Sequence, residues 1–367
     1  MKPDMQAIGR EFGLTGDLIE SIPYGNGHIN DTYLTRWNKG GAVTPWILQR
    51  INHKIFKDPQ KVMENISRIS NHIRKKMEAA GVPDVERRVL TCMPAAGGKY
   101  YFLDEGGNYW RTYRFIDKAT SHDICTGPRL AYEAAYAFGN FQALLADFPA
   151  SSLHETIPWF HHTPRRFAAL EKAIELDSAN RSATSSPEIT FALARKSMTG
   201  VVSDLLENGA IRPNVTHNDT KLNNVMIDDE TGRGICVIDL DTVMSGSILY
   251  DVGDMVRTST ITTQEDERDL SKVDMDIDRF DALIRGYSEA AGDLPSQAEK
   301  KLLAFCGRLI TFTIGLRFLT DHLSGDVYFK THRPNHNLER ARVQFTMVRK
   351  MEERSAEMEQ IVRKYCK

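Results

Sequence analysis

The chain has 367 residues, of which 41% are hydrophobic and 26% charged, and 47 basic against 49 acidic side chains give a formal net charge of −2. That length suits two domains or lobes, each able to bury its own core. The charge balance gives no support to a general nucleic-acid or membrane-surface role. The five cysteines, Cys92, Cys125, Cys236, Cys306 and Cys366, are scattered and form no C-x-x-C. They argue against a disulfide framework or a structural zinc site and fit a reducing cytoplasm. Met1-Lys2-Pro3-Asp4-Met5 carries no apolar signal-peptide core, and no stretch is expected to approach the ~20 apolar residues that span a bilayer. The glycosylation sequons at Asn30 and Asn214 are chance matches in such a setting.

Along the chain, residues 3–12 read as a short amphipathic helix with Met5, Ile8 and Phe12 on one face and Gly13 as its stop. Residues 21–36 read as two strands around a turn, Tyr24-Gly25-Asn26-Gly27-His28-Ile29-Asn30. Residues 46–51 form a further strand. Residues 58–80 are expected to be a charged helix, opened by Asp58-Pro59 and closed by Gly81. Residues 89–91, 100–102 and 110–115 read as strands separated by glycine-pair turns. From about residue 127 the pattern turns helical, with helices expected over 129–146, 164–174, 187–208, 264–291 and 295–323. A long charged helix over 337–365 either packs on its own lobe or makes a dimer contact. A β-rich segment, residues 1–116, therefore precedes a mainly helical one, residues 117–367.

The chemistry concentrates in Thr216-His217-Asn218-Asp219-Thr220-Lys221-Leu222-Asn223-Asn224, which contains H-x-D-x-x-x-x-N. Fifteen residues later comes Asp239, within Cys236-Val237-Ile238-Asp239-Leu240-Asp241. Phosphoryl transfer from ATP needs an acceptor-facing carboxylate, and an amide and a carboxylate to hold Mg²⁺ against the phosphates. Asp219 is the candidate catalytic base and also faces the acceptor. Asn224 and Asp239 are the candidate metal ligands, because hard oxygens suit Mg²⁺. Asp241 either backs those ligands or is itself a second one. The G-x-G of Gly25 and Gly27 sits in an expected hairpin, which disfavours a strand-to-helix nucleotide motif and suits a flap over ATP phosphates. His28 is either a solvent-exposed turn residue or reaches the acceptor or γ-phosphate. Asp251, expected in a loop, is read as a brace that accepts backbone N–H bonds from the catalytic loop. Arg317, inside an apolar helix, needs a partner. It either pairs with an acid such as Asp321 or projects into the active site.

These runs resemble the aminoglycoside phosphotransferase and choline kinase branch of the protein-kinase-like fold. That branch carries H-x-D-x-x-x-x-N and I-D-x-[DE], here His217-Asn218-Asp219…Asn224 and Ile238-Asp239-Leu240-Asp241. Within it, the run 216–224, Ile238-Asp239-Leu240-Asp241-Thr242, Asp251-x-Gly253-Asp254 and Arg317-Phe318-Leu319 are similar to the N-acetylhexosamine 1-kinase group. The similarity extends over about residues 6–362. The resemblance implies an α+β, two-lobed fold: an antiparallel-sheet lobe with a helix, then a larger helical lobe. It implies ATP and Mg²⁺ as cofactors and a small sugar as acceptor, phosphorylated at its anomeric hydroxyl. It implies that His28, Asp219 and Arg317 contact the sugar. Gly25, Gly27 and Asn30 would then serve ATP from the flap, and Arg114, Phe115 and Ile116 from the linker. The strand expected to carry the ATP lysine reads Ile47-Leu48-Gln49-Arg50. Arg50 is the candidate substitute, and the usual Lys–Glu pair, with Glu64 as the acid, is in doubt. Homoserine, choline and methylthioribose kinases of the same branch remain alternatives, as does a nucleotide-binding pseudokinase.

Overall fold

The computed structural model describes residues 3–25 and 29–366. The chain divides into two compact units. The first comprises residues up to Thr120 with segments 147–158 and 226–244; the second holds 121–146, 159–225 and 245 onward.

In the first unit, helix α1 (Met5–Glu11) starts where Asp4 accepts a hydrogen bond from the Ala7 N–H, and Gly13 ends it at a φ of 73°. Its apolar face, Met5, Ile8 and Phe12, packs with Trp37, Leu48 and Trp110 of the sheet. The strands are β1 (Asp17–Pro23), β2 (Asp31–Lys39), β3 (Ala42–Ile51), β4 (Phe102–Leu103) and β5 (Tyr109–Arg114). They form one antiparallel sheet in the order β1-β2-β3-β5-β4. Helix α2 (Pro59–Ala79) begins at the Asp58 cap with proline in its first turn, and its apolar stripe of Val62, Met63, Ile66, Ile69 and Ile73 is buried. Residues 89–91 form no strand. A short helix, α3 (Val85–Arg88), precedes them, and only an isolated bridge joins Cys92 to Tyr113. Strands β6 (Ala119–Thr120), β8 (Val225–Asp228) and β9 (Gly234–Val237) make a small sheet, and β7 (Asn214–Thr216) lies in the second unit.

The second unit is helical. Its elements are α4 (Pro128–Leu144), α5 (Thr163–Leu176), α6 (Ser186–Leu193), α7 (Val201–Glu207), α8 (Ile248–Thr260), α9 (Ile277–Ala291), α10 (Gln297–Lys300), α11 (Leu303–Leu323), α12 (His336–Glu353) and α13 (Ser355–Tyr365). Four expected helices are shorter or broken, one of them 295–323, which splits into α10 and α11 at residues 301–302. Residues 187–208 split into α6, a 3-10 turn and α7. Residues 264–276 are mostly irregular, and only 277–291 are α-helical. The C-terminal helix breaks at Arg354, and α12 buries Leu338, Ala341, Phe345, Met347 and Met351 rather than lying in solvent. In contrast to the sequence expectation, α11 is long and apolar enough to cross a bilayer. Packing accounts for it: Leu309, Ile310, Phe312, Leu316 and Leu319 are all buried, and α11 is the unit's core helix.

Candidate active site

Strand β7 ends at Thr216, and the chain then turns sharply through His217, Asn218 and Asp219. Asn218 adopts a left-handed φ of 65°, a conformation that costs energy outside glycine and needs support. The support is local. Asp251 accepts the His217 N–H at 2.9 Å and the Asn218 N–H at 2.7 Å, and Gln142 donates to the same carboxylate at 2.7 Å. Thr220 donates its hydroxyl to the Asp251 carbonyl at 2.6 Å. Asp251 is therefore the expected brace, but it stands in the first turn of α8 rather than in a loop. The Ser247 hydroxyl caps that helix by accepting from the Leu249 N–H. Burial pushes the Asp251 carboxyl up, and its three donors pull the other way without cancelling the effect.

From the opposite flank His161, fully buried, donates from Nε2 to the Asn218 carbonyl at 2.8 Å. Its burial lowers the imidazole pKa to about 4. The neutral ring is thus the form that holds the turn. His217 packs edge-on against Phe138 and Phe141, which fixes the loop's inner side.

Asp219 emerges from this frame only partly covered. Burial raises its pKa, but the Lys221 ammonium, His217 and Arg257 outweigh that and hold the carboxyl below its usual range. Lys221 Nζ stands 3.1 Å from Asp219 Oδ1. Asn224 Nδ2 donates to the Asp219 carbonyl at 2.8 Å and to Oδ2 at 3.2 Å. With its amino group so used, Asn224 has its amide oxygen left to offer a cation. Lys221, His161 and Gln142 escaped the sequence reading as separate roles. Lys221 was visible as the one cation inside the motif; the other two lie in helical or irregular segments with no motif at all.

Arg317 has no ion pair among the described residues. Asp321, its suggested partner, is engaged elsewhere: it accepts the backbone N–H groups of Val327, Tyr328 and Phe329 at 2.8–2.9 Å and the Asn337 amide at 2.9 Å. The Arg317 guanidinium instead lies over Phe160, Tyr328 and Phe329, at 5.3, 5.8 and 5.4 Å from the ring centroids.

The first unit carries the other motif. Asp239 follows β9 in a left-handed turn with φ 59° and ψ 57°, exposed, so that a strained backbone presents its carboxylate. Two residues on, Asp241 is buried with both oxygens occupied, by the Arg111 guanidinium and by the Asn30 amide at 2.7 Å. Asp241 thus backs the turn. Arg111 belongs to a row that the sheet register sets, Thr32 opposite Gln49 opposite Arg111. Gln49 donates to the Thr32 hydroxyl at 2.7 Å and accepts from Arg111 at 2.6 and 2.8 Å. The neighbouring strand β5 thus sets a fully buried guanidinium against Asp241. Arg50 pairs with Asp31 of the adjacent strand at 2.5 Å, and both side chains are half-exposed. Glu64 pairs with His154 at 3.0 Å. The next residue, Asn65, is buried and donates to the Val243 carbonyl at 3.0 Å, which anchors the segment behind Asp241 to α2.

Of the other expected nucleotide residues, Gly25 takes a φ of 76° in the hairpin turn, closed by Tyr24 N–H to the Thr32 carbonyl at 2.9 Å. The Asn30 amide also accepts from the Asn52 N–H at 3.0 Å. Gly27 and His28 lie outside the described residues. Arg114 is ion-paired with Glu86, Phe115 meets the Tyr24 ring edge-on, and Ile116 is buried with Ala119, Met226 and Cys236.

Comparison with solved structures returns kinases and phosphotransferases along the whole chain. An aminoglycoside phosphotransferase from Alicyclobacillus acidocaldarius subsp. acidocaldarius DSM 446 superposes with a TM-score of 0.64 at 12% identity, covering 99% of this chain and 98% of that one. A spectinomycin phosphotransferase, solved with ADP and spectinomycin, gives 0.56 at 12% identity, covering 92% and 93%. A choline kinase from Cryptosporidium parvum Iowa II gives 0.51 at 13% identity, covering 94% and 92%. At these identities the likeness establishes the fold, which is the α+β, protein-kinase-like one. Residues 21–295, well over half of the chain, match the sequence profile of one family, and by that match the chain belongs to the phosphotransferase enzyme family.

Proposed function

We propose that this phosphotransferase moves the γ-phosphate of ATP to the anomeric C1 hydroxyl of an N-acetylhexosamine, N-acetylglucosamine or N-acetylgalactosamine, giving the sugar 1-phosphate. The observation that carries the phosphotransfer half is Asp219. It is held ionised by Lys221 on a turn that Asp251 and His161 brace from two sides. In that role Asp219 orients the acceptor hydroxyl and takes its proton as the bond to phosphorus forms. Hard oxygen donors are what Mg²⁺ selects, and the Asn224 amide oxygen and the exposed Asp239 carboxylate fit it; we assign both as its ligands. Bound there, the ion would neutralise charge on the phosphates. Gly25, Gly27 and Asn30 serve the nucleotide from the hairpin, and Arg114, Phe115 and Ile116 from the linker. Arg50 is a further nucleotide candidate, its guanidinium half-exposed beside Asp31. Five free cysteines support a reducing, cytoplasmic setting.

For the acceptor half the support is Arg317. A quaternary ammonium would need the faces of Phe160, Tyr328 and Phe329, and those faces are already occupied by the protein's own cation. A guanidinium with free donors suits sugar oxygens instead, and we assign His28 and Arg317 to the sugar. The test offers N-acetylglucosamine, N-acetylgalactosamine, choline and homoserine in parallel with ATP and Mg²⁺, and identifies the product by phosphorus NMR. The expected product is an anomeric phosphate from the hexosamines. Turnover of choline or homoserine without the sugars, or phosphate on another hydroxyl, would overturn the assignment.

A further inference from the structure

Two guanidinium groups of the helical unit converge on one residue, Phe160, and among the described residues no carboxylate pairs with either. Arg317, on α11, lies over the Phe160 ring. Arg166, on α5, donates through Nε and Nη2 to the Phe160 carbonyl at 3.3 and 3.1 Å. A buried hydroxyl contact of 2.8 Å between Thr163 and Thr313 ties the two helices together. Arg166 lies three residues beyond Thr163 and Arg317 four beyond Thr313, so each stands on the face that carries the contact. Among the described residues neither arginine has a carboxylate within 4.0 Å. The nearest acid along α11, Asp321, is committed to the 327–329 backbone. Burial lowers the Arg166 pKa to about 10, and Arg317 pushes it the same way. The pair also adjoins the catalytic turn, because His161, next to Phe160, bonds the Asn218 carbonyl.

A half-buried pair of like charges without a counterion is disfavoured unless a ligand brings the missing negative or oxygen-rich surface. We propose that Arg166 and Arg317 form one cationic subsite of the acceptor site, which takes oxygen-rich neutral or anionic acceptors and rejects cationic ones. This deepens, and rests on, the reading of Asp219 as the acceptor-facing base. It separates the chain from kinases of its own fold whose acceptor is a cation such as choline. A planar guanidinium fork matches paired oxygens, whereas an ammonium group placed here would be a third like charge.

The test uses the full-length protein and three hexoses of similar size: N-acetylglucosamine, which is neutral, glucosamine at a pH where its amine is protonated, and glucuronate. Wild type is expected to prefer the neutral and anionic sugars. Arg166→Gln keeps a donor for the Phe160 carbonyl and removes the charge. It should shift the glucosamine to N-acetylglucosamine ratio of kcat/KM toward the cation by about tenfold, the effect of one like charge near the site. Arg166→Lys keeps the charge and should keep the ratio. If Gln and Lys variants give the same ratio, or Gln lowers all three sugars alike, Arg166 only braces Phe160 and the subsite is wrong. If wild type phosphorylates none of the sugars, the hexosamine reading fails by itself. The subsite is then read on ATP-free protein with inorganic phosphate, which should raise the thermal midpoint of wild type and Arg166→Lys but not of Arg166→Gln. Equal shifts in all three would overturn it.

Discussion

At Asp219 two influences oppose each other, burial favouring the neutral acid and Lys221 with its cationic neighbours favouring the carboxylate, and the cations prevail. Replacing Asp219 with Asn keeps the shape and removes the proton acceptor, so kcat should fall by about 10²–10⁴-fold, the usual range for loss of a general base. Sugar KM should move far less; steady-state kinetics on Asp219→Asn decides, and near wild-type turnover would remove the residue from this role. Arg317→Leu is expected to do the opposite. Each charge-assisted hydrogen bond lost is worth roughly 1.5–3 kcal/mol, so sugar KM should rise about tenfold or more with ATP KM little changed. Because Asp321 is satisfied by backbone donors, no buried acid is stranded, and the melting temperature should hold to within a few degrees. A large loss of stability with unchanged sugar KM would sink the binding role. Asp219, Asn224 and Asp239 were legible as candidates because the spacing of two motifs within residues 217–239 encodes them. Arg111 was not. A charge in the aromatic strand Trp110-Arg111-Thr112-Tyr113 signals a need for a partner, but that partner, Asp241, lies 130 residues away and only the folded register brings it in.

Helices α8 and α11 set the scale of elements, because α8 carries the Asp251 brace and must sit close to the core helix to hold it. Closeness is built from glycine. A Cβ on Gly253 would stand 2.5 Å from the Cys306 carbonyl oxygen and 2.6 Å from Ile310. A Cβ on Gly307 would stand 2.5 Å from Val256. Backbone at one contact and a β-branched side chain at the other leave little room to yield. Gly253→Ala should therefore cost about 1–3 kcal/mol by overpacking, lower the melting temperature, and reduce kcat by displacing Asp251 from the His217 and Asn218 N–H groups. Gly209, in a surface turn with open space around it but a φ of 76°, controls for stability loss without overpacking: Gly209→Ala should strain the turn and lower the melting temperature, yet leave kcat unchanged. Equal activity of Gly253→Ala and wild type would break the link from packing to brace. The period of apolar residues marked α2, α4, α5 and α11 well. It failed for 250–254, where two aspartates and a glycine read as loop although Ser247 caps a helix. It failed again for 264–276, where polar composition did not reveal the irregular path.

At the scale of the whole molecule the order of a β-rich segment before a helical one was legible from composition alone. The return of segments 147–158 and 226–244 to the first unit was not, because it depends on long-range contacts such as Asn65 with His154 and Val243. The same long-range burial makes stability depend on pH through His161. Its pKa falls from the ordinary 6.5 to about 4, chiefly by burial; the Asp254 and Asp219 carboxylates favour the proton and Arg317 opposes it. Between pH 6.5 and 4 the unfolded chain binds a proton on this imidazole that the folded chain does not. Stability therefore rises with pH across that window and is lost on acidification. With one pKa unit worth about 1.36 kcal/mol, the full loss is on the order of 3 kcal/mol. Denaturant titrations of wild type at pH 7.5, 6, 5 and 4.5 should show this decline. His161→Gln, which retains a donor for the Asn218 carbonyl, should begin less stable at pH 7.5 and show a flatter dependence across the same interval. The neighbouring Asp251 works with the opposite sign, since its raised pKa makes the ionised carboxyl a cost that acid relieves, so the difference between wild type and variant, rather than the wild-type slope alone, isolates the imidazole. Parallel curves for the two proteins would mean that His161 takes up its proton without disturbing the fold, and that the catalytic turn does not depend on the neutral ring.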